Sequence, residues 1–185
     1  MRRNLAALLA LAIAAGARLP AQTPLGGSLV GDSLTPTKAH FRDAVSELRD
    51  TLTRVQATTA LIGRAHRSGM SSVVASQARE LQRRCRSGAA MTGTTKSRIA
   101  NLRTSADEGN RALTSYRTAL DDLDSSLVAC ARDDSLALGA TQLDADHVEE
   151  IGAAATAAID RYDRVRDALL GLLEIRLPVA GAIYH

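Results

Sequence analysis

Cys85 and Cys130 are the only cysteines in the chain. Nothing places them in a C-x-x-C or C-x-x-C-H pattern, so neither a dithiol redox motif nor covalent haem attachment is expected. Arg79, Arg83 and Arg86 stand at i, i+4 and i+7, with Arg84 beside them. Such a ridge on one helix could seat an anionic lipid, a glycan or an acidic partner; the simpler reading is a solvated face answered by a neighbouring acidic helix. Asp144, His147 and Glu150 fall at i, i+3 and i+6, on roughly one helical face. Carboxylate-bridged bundle sites need Glu-x-x-His from two helices, and this chain has no Glu-x-x-His. No D-x-D-x-D-G calcium loop is present, and Gly88 and Gly93 follow no strand as a nucleotide-binding loop would. A noncovalent haem would have to use His66 or His147 with Met70 or Met91, and nothing distinguishes these from surface histidines and core methionines. No metal and no cofactor are expected.

Gly31-Asp32-Ser33-Leu34 spells the signature segment of the GDSL (SGNH) hydrolases, and Asp144-Ala145-Asp146-His147 fits their later D-x-x-H element. Over these eight residues the chain resembles that family. The resemblance implies a parallel sheet, Ser33 as nucleophile, His147 as base and Asp144 as its orienter. The chain departs from the pattern elsewhere. Gly26-Gly27-Ser28-Leu29-Val30 precedes the serine where the family has a buried apolar strand, there is no G-x-N-D element, and Val148-Glu149-Glu150 leads from the histidine straight into a helix. A small secreted serine hydrolase is therefore the alternative; the main expectation is a non-catalytic protein.

The elements that must position these residues are helices. Phe41, Val45, Leu48, Leu52, Val55, Thr59 and Ile62 repeat in strict 4-3 spacing, preceded by a Thr35 cap and Pro36 and stopped by Gly69. A second stripe runs Val74, Ala78, Leu81, Cys85, Gly88, Thr92, Thr95, Ile99, Leu102, Ala106, with a kink or local looseness expected across Ser87 to Thr95. A third, Leu113, Tyr116, Leu120, Leu123, Leu127, Cys130, continues in the same phase. Residues 133–142 read as a loop. The fourth helix spans 142–176, carrying Val148, Ile151, Ala155, Ala158, Tyr162, Val165, Leu169 and Leu172, and Pro178 bars its continuation.

Residues 74–130 could thus form one long helix in a coiled-coil oligomer, or fold back at Asp107-Glu108-Gly109-Asn110. A straight helix would hold the cysteines about 68 Å apart. In a hairpin turned at 107–108, facing positions add to about 215, as 85 and 130 do. The expectation is a Cys85–Cys130 disulfide, with Arg83 and Arg84 reaching Asp133 or Asp134, inside an all-α, antiparallel up-down-up-down four-helix bundle of long helices over residues 35–177.

Residues 1–21 read as a cleavable signal peptide: Arg2 and Arg3, then the apolar stretch from Leu5 to Ala15, too short to span a bilayer, then small residues at Ala15 and Ala17. Residues 22–34 read as a flexible leader and 178–185 as an apolar C-terminal tail. The whole sequence carries a formal charge of +3. Removing 1–21 takes away three arginines and leaves twenty basic against twenty acidic residues, so a nucleic-acid partner loses its electrostatic argument. The balance hides a polarity: residues 64–117 net +8 and residues 118–174 net −9. With hydrophobic residues at 45% but aromatics at 2%, the core must be aliphatic and closely approached. These features predict a periplasmic or secreted protein with no membrane span after cleavage. Its partner would be a protein or envelope component, and self-association through the bipolar surface is compatible with them.

Overall fold

A computed structural model describes residues 29–30 and 38–177. The expected signal peptide, the Thr35–Pro36 cap, Ser33 and the tail 178–185 lie outside the described residues. The chain order is β1 (Leu29–Val30), α1 (Lys38–Arg67), α2 (Ser71–Ile99), β2 (Arg103–Thr104), α3 (Asp107–Arg132), a 3-10 turn (Asp134–Ala137) and α4 (Ala145–Leu172). The four helices pack side by side around one core, mostly aliphatic but with Phe41, Tyr116 and Tyr162 buried in it. Residue pairs across the seams run in opposite senses, and on α3–α4 Glu108 lies beside Leu172 while Asp122 lies beside Ala158. Arg98 meets Glu47 and Arg84 meets the Arg54 carbonyl between α1 and α2; Lys96 meets Asp121 and Asp124 between α2 and α3; Lys38, Gln56 and His66 meet Leu173, Asp160 and Glu149 beside α4. Neighbouring helices are therefore antiparallel.

The first three stripes are largely buried as their period requires; on α4 the buried face is displaced from the expected one, with Gly152, Ile159 and Arg166 buried and Ile151, Val165 and Leu172 only half-buried. Val45, Leu48, Val55 and Ile62 of α1, Leu81 of α2, Leu120, Leu123 and Leu127 of α3 and Ile159 of α4 have no exposed surface. Gly69, with φ of +67°, closes α1: its N–H donates to the His66 carbonyl, and the Met70 N–H donates to the Ala65 carbonyl. Across the expected weak stretch α2 is unbroken. Thr92, Thr94 and Thr95 satisfy their hydroxyls on carbonyls one turn back, and the Gly88 Cα faces Leu127, so the small residue there is a close approach of α2 to α3.

Two expectations need correction. The chain does not turn at 107–110; α3 already begins at Asp107, and the turn is the preceding segment 100–106. The hairpin register is nonetheless the one expected, with Cys85 bonded to Cys130 and their Cα atoms 5.9 Å apart. Both hold because α3 overhangs. The Arg117 guanidinium donates to the carbonyls of Ile99 and Leu102, so the residues from Asp107 to Tyr116 project about 14 Å beyond the end of α2. The connecting segment climbs that distance in extended form. The Asn110 side chain accepts from the Thr104 N–H and donates to its carbonyl, pinning the segment to α3. The second correction concerns the leader: Leu29–Val30 is a strand, antiparallel to Arg103–Thr104, with Leu29 opposite Thr104.

Gly109 sits under this segment, where an added Cβ would lie 3.0 Å from the Thr104 Cβ. Gly109→Ala is expected to destabilise the chain by about 1–3 kcal/mol, overpacking outweighing its gain in helix propensity. Gly93, with open space around its Cα, is the control: Gly93→Ala is expected to add up to about 1 kcal/mol. Urea unfolding of the two variants checks the opposite signs.

Candidate functional site

The disulfide is closed off from chemistry. Cys85 is fully buried and Cys130 nearly so, which makes the bond a clip between α2 and α3. The arginine ridge is partly spent within its own helix. Glu80 accepts from Arg83 at 2.5 Å and from Arg84 at 2.6 Å, and Arg84 also donates to the Arg54 carbonyl. The Arg84 bond, with both guanidinium charges, holds the Glu80 carboxyl below its ordinary pKa. Arg83 and Arg84 therefore do not reach Asp133 or Asp134 as expected. Gln82 occupies that seam, donating to the Asp133 carbonyl. Arg79 and Arg86 carry no ion pair among the described residues, but Arg79 borders only an exposed recess beside Ala137.

Asp144 and His147 do not form the pair that the hydrolase resemblance implies. The Asp144 carboxylate caps α4, accepting from the backbone N–H groups of Asp146 and His147. The His147 ring instead lies 3.5 Å from Asp133 and 4.0 Å from Glu150. Asp133 in turn accepts from the Ser135 hydroxyl and N–H at the start of the 3-10 turn; these bonds hold its pKa down. Among the described residues the only strands are the two short ones, not the parallel sheet that family needs, and no group of three or more His, Cys, Asp or Glu side chains is arranged to hold a metal ion.

His66 makes a contact that the sequence did not single out. Its Nδ1 lies 2.8 Å from the Glu149 carboxylate, and its Nε2 is 3.7 Å from Asp146. The Glu149 bond raises the imidazole pKa above 6.5, with Asp146 and Asp144 adding to it. A cation whose pKa rises on folding contributes stability that is complete below its unfolded pKa and is lost as pH rises through the folded one. In an NMR titration His66 is expected to titrate above 6.5, and Glu149→Gln to return it toward that value.

The polar centre of the bundle is a different set. The Tyr116 and Tyr162 hydroxyls are 2.8 Å apart and buried, with Phe41 packed edge-on against Tyr116. Arg166, 6% exposed, stacks its guanidinium 5.8 Å from the Tyr162 ring and pairs with Asp163 and Asp167. Burial pushes the Asp163 carboxyl above its ordinary pKa despite the Arg166 charge beside it.

Outside this centre, α3 and α4 leave a groove of about 620 Å³. Its floor is aliphatic: Ala112, Val165, Ala168, Leu169 and Leu172, rimmed by Glu108, Arg111 and Arg164. At Ser115 and Val165 it joins a second recess of about 340 Å³, which reaches Arg161 and Asp122. Arg111, Arg161 and Arg164 make no ion pair among the described residues, whereas Arg166, Lys96 and Arg98 are each matched to an acid. Arg161 and Arg164 thus present cations here from the acidic part of the chain, and Arg111 joins them from the basic part. Asp160 and Asp163 engage Gln56 and Arg166, Asp121 and Asp124 engage Lys96, and the exposed arginines are left along the groove.

Comparison with known protein families, curated proteins and solved structures yields no match. No described helix is long and apolar enough to cross a membrane.

Proposed function

We propose that this chain is an exported, non-catalytic binding protein that works outside the cytoplasm, in the periplasm or as a secreted protein, and holds its ligand in the α3–α4 groove. Residues 1–21 act as the signal peptide, and the Cys85–Cys130 bond suits a compartment where disulfides persist. The observation that carries the binding role is the groove itself, an aliphatic concavity bordered by three arginines with no acidic partner among the described residues. The α2 ridge Arg79, Arg83, Arg84, Arg86 is the weaker seat, because Glu80 already engages two of the four.

Native mass spectrometry of the protein isolated from outside the producing cell's cytoplasm tests both halves. The expected species is a chain beginning near residue 18 or 22 that carries a bound component. That component is lost in Ala168→Trp, a substitution at an exposed position of the groove wall that fills it. An unprocessed chain inside the cell overturns the export reading. A processed chain carrying nothing, or an adduct unaffected by Ala168→Trp, overturns the binding reading.

A further inference from the structure

We infer that the occupant of the α3–α4 groove is a single-chain amphiphile with an acidic headgroup, such as a fatty carboxylate or an alkyl phosphate; this rests on the binding role proposed above. The floor of the larger segment is wholly aliphatic, with Ala112 and Ala168 leaving room between Val165, Leu169 and Leu172. No aromatic ring lines that segment, so a planar ligand finds nothing to stack on. Along α4 the line from the Val165 junction to Leu172 is about 10 Å at the helical rise, enough to cover roughly the first eight carbons of an extended alkyl chain.

The charge arrangement sets the headgroup's sign and place. Glu108 and Asp122 stand at the two ends of the combined groove; Arg111, Arg164 and Arg161 lie between them. An anion is therefore best placed at the junction, where Ser115 lines both segments and offers a hydroxyl donor. From there an alkyl tail runs toward Leu172 over the aliphatic floor. The competing occupant, a partner's amphipathic helix, fits less well. Interface anchors are enriched in Trp, Tyr and Arg; Arg111, Arg161 and Arg164 along the groove repel an arginine anchor, and the aliphatic floor gives an aromatic anchor nothing to stack on. The exposed large hydrophobics of this chain, Leu61, Met70, Val73 and Leu138, all lie away from the groove.

Calorimetric titration of the full chain as isolated with dodecanoate, kept below its aggregation concentration, tests this. One site per chain is expected, weakened by added salt. Arg111→Gln combined with Arg164→Gln should lower the affinity at least tenfold, and Ala168→Trp should abolish it, with circular dichroism showing unchanged helix in both variants. Dodecyltrimethylammonium, of equal length and opposite charge, should not bind. Equal binding of the two amphiphiles, or dodecanoate binding that survives Ala168→Trp, overturns the inference. If dodecanoate and dodecyl phosphate both fail to bind while a native adduct sensitive to Ala168→Trp persists, the ligand chemistry is wrong and the binding role stands; an adduct of peptide mass has the same meaning.

Discussion

Replacing Cys85 and Cys130 together by alanine is expected to lower the unfolding free energy by about 4 kcal/mol. The bond joins residues 45 apart in sequence, and in the chain-entropy model a loop of that size, once opened, frees the unfolded ensemble by about that amount. The folded state loses little, because α2 and α3 remain held by Gly88 against Leu127, by Lys96 on Asp121 and Asp124, and by Arg117 over the end of α2. Helix content at low temperature should therefore be unchanged, while the melting temperature falls on the order of 10 °C for a chain of this size. Reductant alone should act slowly on the native protein, since Cys85 is fully buried and Cys130 nearly so. Urea unfolding of the double variant is the measurement. A loss below about 1 kcal/mol would show that α2 and α3 stay associated in the unfolded chain even without the bond.

The same bond shows how the sequence could be right about a register and wrong about a turn. Two cysteines on core stripes of equal phase admit one folded-back alignment, and that alignment is the observed one. The turn was hidden because Leu102 is fully buried in the connecting segment and so extends the helical stripe past the true end of α2 at Ile99. What stops the helix is tertiary: Asn110 bonding both sides of Thr104, Arg117 collecting the freed carbonyls, and a strand partner more than seventy residues earlier at Leu29–Val30. Two-residue strands carry no periodicity to read. The long helices were legible because four strong aliphatic stripes leave little freedom in which face is buried.

The candidate site was not legible in that way. The sequence reading looked to a neighbouring acidic helix to answer the ridge Arg79, Arg83, Arg84 and Arg86, although Glu80, one turn before Arg83 and Arg84, was available in the sequence as the partner of those two. The groove exists only between two helices. Ala112 and Ala168 are unremarkable on their own strands of sequence and become a concavity when α3 and α4 pack. Net charge by segment misled for the same reason. It placed acid across residues 118–174, whereas the fold turns Asp160 toward Gln56 of α1, pairs Asp163 with Arg166 within α4, and leaves Arg161 and Arg164 on the groove.

Phenylalanine at Tyr116 or at Tyr162 is expected to cost about 1–3 kcal/mol singly, and the double substitution markedly less than the sum. Each hydroxyl has the other as its buried partner 2.8 Å away, so removing one leaves the second desolvated and unpaired. Removing both leaves an apolar layer among Phe41 and the two rings, with no polar group stranded. Alkaline pH separates this pair from ordinary surface tyrosines. Burial pushes both phenols above their ordinary value of 10. An acid whose pKa is raised on folding stays protonated in the native state while the unfolded chain releases its proton. Stability is therefore full below pH 10 and is lost as pH rises through the folded values. Two such groups should make the wild-type protein lose about 2.7 kcal/mol per pH unit above 10 relative to the double phenylalanine variant, whose curve lacks that component. Parallel pH–stability curves for the two proteins in that range would mean that the phenols are not held neutral in the core, and single-variant losses that simply add would mean that their hydroxyls do not depend on one another.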